Sequence, residues 1–269
     1  MGTIPNGLAI PGRAGALLAE LGDRVVRCDL YDEVGAPVYH DLVGKETYEV
    51  RELLTLLRAI PGSVLDLAAG SGRLTMPLLA SRRDVTALEL SGSMLKLLAA
   101  RLDAAPAALR NRCTTVQADM SDFTLDREFG AVVLGTTSIS LLNASGRQGL
   151  YESVRAHLAP GGRFLLSTVA LESSDTAPAE TEVEFTGSDR GYRLFEYWTA
   201  GAESRTVTIF PAVIEEGPVE VCTTSIRVLS AELLEEELRS SGFAVRSRHM
   251  LPDPGARHHN VLLEAEAAA

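Results

Sequence analysis

The chain has 269 residues, 46% of them apolar, and carries 36 acidic against 25 basic side chains for a formal charge of −11. That length accommodates one or two domains with a sizeable core. The acidity, without a basic run or basic-aromatic cluster, excludes nucleic acid as an expected partner, since neutralising phosphates takes clustered Lys and Arg. It suits a cationic or neutral small ligand, or serves solubility alone. No apolar stretch reaches the roughly 18 residues of a membrane span, and residues 1–13 lack the basic n-region of a secretory signal. No membrane partner is expected, and a cytoplasmic location is. Cys28, Cys113 and Cys222 form no metal-spaced pair and no iron–sulfur run; they read as small core residues of a protein in a reducing compartment, with no metal site. Ala-, Leu- and Arg-rich usage points to a bacterial source.

Residues 1–22 mix Gly and Pro with an apolar stretch at 14–21 and read as a partly ordered lead-in. Residues 23–60 hold Tyr31-Asp32, Tyr39-His40 and Tyr48, then the helical spacing Val50, Leu53, Leu54, Leu57. Next comes Val64-Leu65-Asp66-Leu67-Ala68-Ala69-Gly70-Ser71-Gly72-Arg73. It predicts a strand covered on both faces, a tight glycine turn, and a helix over 73–80. Such a helix start turns N–H groups toward a nucleotide-type cofactor at the carboxyl end of a parallel strand. A dinucleotide fingerprint wants a third glycine where Thr75 stands. Asp66 suits a cofactor with an ammonium group better than a pyrophosphate.

These residues resemble motif I of the class I S-adenosylmethionine-dependent methyltransferases, with Ala68 in place of the usual first glycine. The segments that follow keep the family's order. Residues 84–90 predict a second strand ending in Glu89, 17 residues after Gly72, where a Rossmann-like fold places its ribose-binding acid. One carboxylate accepts both hydroxyls of a vicinal diol. Leu90-Ser91-Gly92-Ser93-Met94-Leu95 opens a helix, with Ser91 or Ser93 as N-cap. The resemblance implies that Met94 lies against adenine; ordinary helix core is the other reading. Residues 113–123 run a strand into Ala118-Asp119-Met120-Ser121-Asp122-Phe123. There the family has Asp119 accept from the adenine amine and Met120 donate its backbone N–H; plain turn and cap residues are the alternative. Residues 129–136 form an apolar strand ending at Gly135 and Thr136, which the resemblance turns toward the reactive methyl. Residues 158–167 carry a Pro-Gly-Gly turn between a helix and a fifth strand. His157, just before that turn, reads as a helix C-terminal residue.

Beyond residue 171 the α/β rhythm stops. Residues 182–185, 193–198, 205–210 and 220–228 alternate polar and apolar, predicting antiparallel strands. Ser230 then caps a helix over 232–239 that Gly242 ends, and 243–246 with 260–264 make a last strand pair. The fold class expected is α/β: a Rossmann-like seven-stranded sheet with helices on both faces, an N-terminal helical cap and an antiparallel β insertion after strand five. As one methyltransferase domain the chain divides into cap (1–62), cofactor-binding core (63–170), β lid (171–228) and C-terminal helix with strand pair (229–269).

The insertion resembles that of natural-product methyltransferases, notably sugar-amine N,N-dimethyltransferases, where it roofs the active site or forms a dimer contact; the daptide-type peptide enzymes are similar in size and plan. The resemblance implies S-adenosylmethionine as cofactor, held by Asp66, Ala68, Gly70, Gly72, Glu89, Leu90, Met94, Asp119, Met120 and Gly135. It implies an amine acceptor on a small molecule or peptide, and allows a homodimer. Tyr31 or Tyr39 would bond the methionine carboxylate or the acceptor amine, and His40 would serve as base or hold structure. Trp198 is lid core or an aromatic wall beside a substrate cation. No His–Asp base pair stands out, which favours N-methylation over O-methylation. An O- or C-methyltransferase, a silent cofactor-binding subunit and an NAD(P) oxidoreductase are the competing readings.

Overall fold

The apolar runs of the middle of the chain become strands and the amphipathic ones become helices. The computed structural model describes residues 10–44, 49–135, 137–170, 179–199, 201–251 and 259–268; Tyr48, Thr136 and His258 lie outside them. In chain order the elements are α1 (Gly12–Leu21), β1 (Val25–Cys28), α2 (Gly35–Val43), α3 (Val50–Leu57), β2 (Val64–Leu67), α4 (Thr75–Ala80), β3 (Val85–Glu89), α5 (Gly92–Ala104), α6 (Ala107–Arg110), β4 (Cys113–Gln117), β5 (Phe129–Leu134), α7 (Ala144–His157), β6 (Leu158–Ala170), β7 (Glu180–Thr186), β8 (Gly191–Tyr197), β9 (Ser204–Pro211), β10 (Val219–Arg227), α8 (Ala231–Ser240), β11 (Phe243–Leu251) and β12 (His259–Ala267). They form two compact units, Met1–Lys45 with Ser173–Val228 and Glu46–Glu172 with Leu229–Ala269. No helix among the described residues is long and apolar enough to cross a membrane.

The larger unit is built on a seven-stranded sheet in the order β11-β12-β6-β5-β2-β3-β4. β6, β5, β2, β3 and β4 run parallel, and β12 is antiparallel to both β6 and β11. Period-two alternation sends Leu65, Leu67, Val132, Leu134, Phe164 and Leu166 into one cluster with α7 and α8. Val64, Val85, Ala87, Ala131, Val133 and Leu165 enter a second, with α3, α4 and α5. A fully buried Leu or Phe contributes about 1.5–3 kcal/mol. The two clusters, more than the short helices, therefore fix the carboxyl ends of β2, β3 and β5. Ser91 and Ser230 cap α5 and α8 as expected, accepting from Met94 N and Leu233 N. The helix foreseen over 73–80 begins only at Thr75, because Gly72 stands at φ +87° and Arg73 is drawn into an ion pair described below.

The smaller unit is a five-stranded sheet in the order β1-β10-β9-β8-β7. The four antiparallel strands fall where alternation puts them. β1, parallel to β10, was not foreseen: Val25-Val26-Arg27-Cys28 is too short a run to signal a strand. The lead-in carries a helix of its own. α1 is an ordered helix, packing Ala14 and Leu18 against Phe195, Phe210, Val219 and Val221. Its first turn is tied down by Glu180, which accepts from Arg13 N at 2.8 Å and Arg13 Nε at 3.1 Å. Leu30 and Val38 pack with Tyr192, Val207, Ile209 and Cys222 in another cluster. The segment read as one N-terminal cap is thus divided: α1, β1 and α2 belong with the inserted strands, α3 with the parallel sheet.

Candidate active site

Strand order reverses at β2, which has β3 on one side and β5 on the other. Such a switch point opens a crevice beyond the carboxyl ends of the strands. Leu67 pairs with Leu88 and with Leu134, so Ala68, Glu89 and Gly135 stand one residue past that row. Ala68, Gly70 and Gly72 all have positive φ, at +50°, +55° and +87°, which coils the chain sharply after β2. Glycine meets that demand without strain; Ala68 costs roughly 1–2 kcal/mol there. A Cβ on Gly72 would strike Leu98, whereas one on Gly70 would have nothing nearer than Ala68 O at 4.0 Å.

Two carboxylates sit in this turn. Asp66 is buried in β2, and its Oδ2 accepts the Thr75 hydroxyl at 2.6 Å. Burial pushes its pKa up to about 7, aided by the charge of Glu89 and opposed by Thr75. Glu89 is 9% exposed. Its Oε2 accepts Gly70 N at 2.9 Å and its Oε1 accepts Ser91 N at 2.8 Å. Burial raises its pKa, and the backbone donors of Ser91, Gly70 and Leu90 work against that. Each oxygen keeps lone-pair capacity for another donor. The turn is braced from behind. Arg101 Nη1 donates to Ser71 O at 2.8 Å, and buried Arg73 pairs with the fully buried carboxylate of Glu49. Gly135 is required by close approach, since a Cβ there would meet Leu74 and lie 2.8 Å from Glu49 Oε1.

The family model of the methyltransferase domain matches residues 64–162. The crystal structure of the glycopeptide N-methyltransferase MtfA complexed with S-adenosylmethionine is similar at 42% identity, over 94% of this chain and 96% of that one, with a TM-score of 0.69. The chain belongs to the S-adenosylmethionine-dependent methyltransferases. The CcbJ methyltransferase from Streptomyces caelestis shares the fold at 20% identity, over 89% of this chain and 100% of that one, with a TM-score of 0.71. So does CalS10, an amino pentose methyltransferase from Micromonospora echinaspora, at 18% identity over 88% and 98% and a TM-score of 0.65. Among curated proteins none matches.

In this methyltransferase Asp66, Ala68, Gly70, Gly72, Glu89 and Gly135 gather at the switch point. Leu90 follows Glu89 and is 39% exposed. Met94 is buried in α5, and Met120 is buried in the cluster that holds α7 and α8. Asp119 is exposed, and its Oδ1 accepts Ser121 N at 2.8 Å and Ser121 Oγ at 2.7 Å, a turn-capping arrangement. Tyr31 and Tyr39 belong to the other unit, where their rings meet edge to face with centroids 5.1 Å apart. Asp32, between them in sequence, caps α2 by accepting from Val34 N and Gly35 N at 2.8 Å each. His40 is in the last turn of α2. Trp198 follows β8 and is partly buried. Buried His157 bonds Ser153 O through Nδ1 and accepts Leu125 N on Nε2, a structural role. Sequence reasoning missed the Glu49–Arg73 pair. Arg73 alone carried a signal, as a cation inside an otherwise apolar helix start. Thr75, read only as a missing glycine, proves to be the partner of Asp66.

Proposed function

We propose that the protein transfers a methyl group from S-adenosylmethionine to an amine of a small-molecule or peptide natural product. The observation that carries this is 42% identity, along nearly the whole length of both chains, to a glycopeptide N-methyltransferase whose structure contains S-adenosylmethionine. The donor set at the switch point fits that cofactor. Glu89 holds the ribose diol with the lone pairs its backbone donors leave. Gly70, whose Cβ would enter open space, leaves the backbone bare beneath the ligand, while Gly72 and Gly135 let the turn pack closely against Leu98, Leu74 and Glu49. Asp66, poised to lose its proton near neutrality, answers the methionine ammonium. Leu90, Met94, Asp119 and Met120 line the adenine.

The cofactor supplies a methyl already activated on a sulfonium. What remains for the chain is alignment, exclusion of water and charge complementarity. A neutral amine attacks with its own lone pair, so Tyr31, Tyr39 and His40 need only orient it and pass its proton to solvent. We infer one functional domain made of both units, acting in a bacterial cytoplasm. A homodimer is part of the same reading, supported by the edge position of β7 and its exposed Val183.

The test is turnover with methyl-labelled S-adenosylmethionine against a panel of peptide, glycopeptide and amino-sugar acceptors, with products located by tandem mass spectrometry. Label on an amine nitrogen is expected. Label on hydroxyl or carbon would replace N-methylation with the O- or C-transfer reading.

A further inference from the structure

We propose that Cys28 and Cys222 are a modification site: a dithiol that a small-molecule disulfide oxidises to a cystine bridging β1 and β10. The two residues lie far apart in sequence, yet β1 and β10 pair in a register that sets Cys28 opposite Cys222. Neighbouring strands lie about 4.8 Å apart, inside the roughly 4.4–6.8 Å between Cα atoms that a disulfide spans. Directly paired residues of parallel strands point to the same face. The sulfurs accordingly stand 3.1 Å apart, about 1 Å from the bonded separation near 2.0 Å. Closing that gap takes side-chain adjustment, with no change of strand register.

Exposure divides the labour between the two thiols. Cys28 is partly exposed on an edge strand, and Cys222 is buried behind it. The thiolate of Cys28 attacks one sulfur of the external disulfide and expels one thiolate. Cys222 then attacks Cys28 Sγ in the mixed disulfide and expels the second. The two protein sulfurs lose two electrons, the external disulfide gains them, and the two thiol protons end on the two released thiols. In the reduced pair the hydrogen bond to Cys28, and then burial, push the Cys222 thiol up; in the mixed disulfide burial alone still disfavours its thiolate, so the second step is the slow one. Cys113 makes an internal control. It stands on β4 in the other unit, and its thiol is pushed up to about 11 by burial and the nearby Asp66.

The bridge would act on more than stability. Cys28 and Cys222 belong to the apolar cluster that also holds Leu30, Val38, Tyr31 and Tyr39, so a bond there stiffens the tyrosines assigned to the acceptor. That consequence rests on the proposed function; the bridge itself does not. The experiment therefore reads the bond directly. The full-length protein is treated with oxidised glutathione, quenched with a maleimide, digested without reductant and mapped by mass spectrometry, beside Cys28→Ser, Cys222→Ser and Cys113→Ser variants. A peptide pair joined through Cys28 and Cys222 is expected, formed equally in Cys113→Ser and reversed by dithiothreitol. The oxidised protein should also melt several degrees higher than the reduced one. A glutathione adduct that persists on Cys28, a bridge to Cys113, or two thiols still free after prolonged oxidation would each overturn the proposal. Methyl transfer by the oxidised protein is read separately, so loss of activity in an unbridged sample counts against the function and not the bond.

Discussion

Asp66 keeps a proton that a surface aspartate would release. With its carboxyl raised from 3.8 to about 7, the folded protein binds one proton more than the unfolded chain between those two values. Stability that is fully present below about pH 4 is therefore lost as pH rises through 7. The shift of about 3 units corresponds to roughly 4 kcal/mol at most. Urea melts of the cofactor-free protein should show the wild type losing stability from pH 5 to 8 relative to Asp66→Asn, and parallel profiles would show that Asp66 is ionised throughout. At the same scale Glu49→Gln removes the carboxylate facing buried Arg73. That should cost about 3–5 kcal/mol, and the double variant Glu49→Gln/Arg73→Met should recover part of it. Additive losses would show that the two side chains do not act as a pair. The sequence disclosed Asp66 and Glu89 because one interrupts an apolar strand and the other ends one, where a carboxylate has no packing reason to be. It hid Glu49, whose partner lies across the fold.

Among the elements, the turn between β2 and α4 tolerates least. Gly72→Ala adds a methyl against Leu98 at φ +87°, combining backbone strain with overpacking at about 1–3 kcal/mol each. Thermal melting should show a clear loss, and a variant as stable as wild type would mean the turn relaxes. Ser91→Ala removes the α5 cap and should cost about 1 kcal/mol. β2, β5 and β6 were legible because burial on both faces leaves apolar runs, β4, an exposed edge strand, only by its place in the order of motifs, and β7–β10 by the alternation of polar and apolar residues in their sequence. β1 was not, since four residues carry no period, and its place is set by pairing with β10, a contact 194 residues away. α1 was read only as part of a helical cap, without bounds of its own, for a related reason: its helix is short, starts without a side-chain cap, and depends on Glu180 and the sheet it covers.

For the whole molecule, order of motifs said more than any motif alone. Strand, glycine turn, acidic strand end and final hairpin dictate the sheet order β11-β12-β6-β5-β2-β3-β4, and with it the switch point. The division of the chain was less legible, because the segment before β2 serves both units and nothing local marks where it changes allegiance. The central claim is that this switch point binds S-adenosylmethionine through Glu89. Calorimetric titration of the wild type and of Glu89→Ala with S-adenosylmethionine, with NADH as control, tests it most directly. The account predicts saturable binding of S-adenosylmethionine by the wild type, at least tenfold weaker binding by a folded Glu89→Ala, and no heat from NADH. Equal affinity in both proteins, or binding of NADH instead, would contradict it.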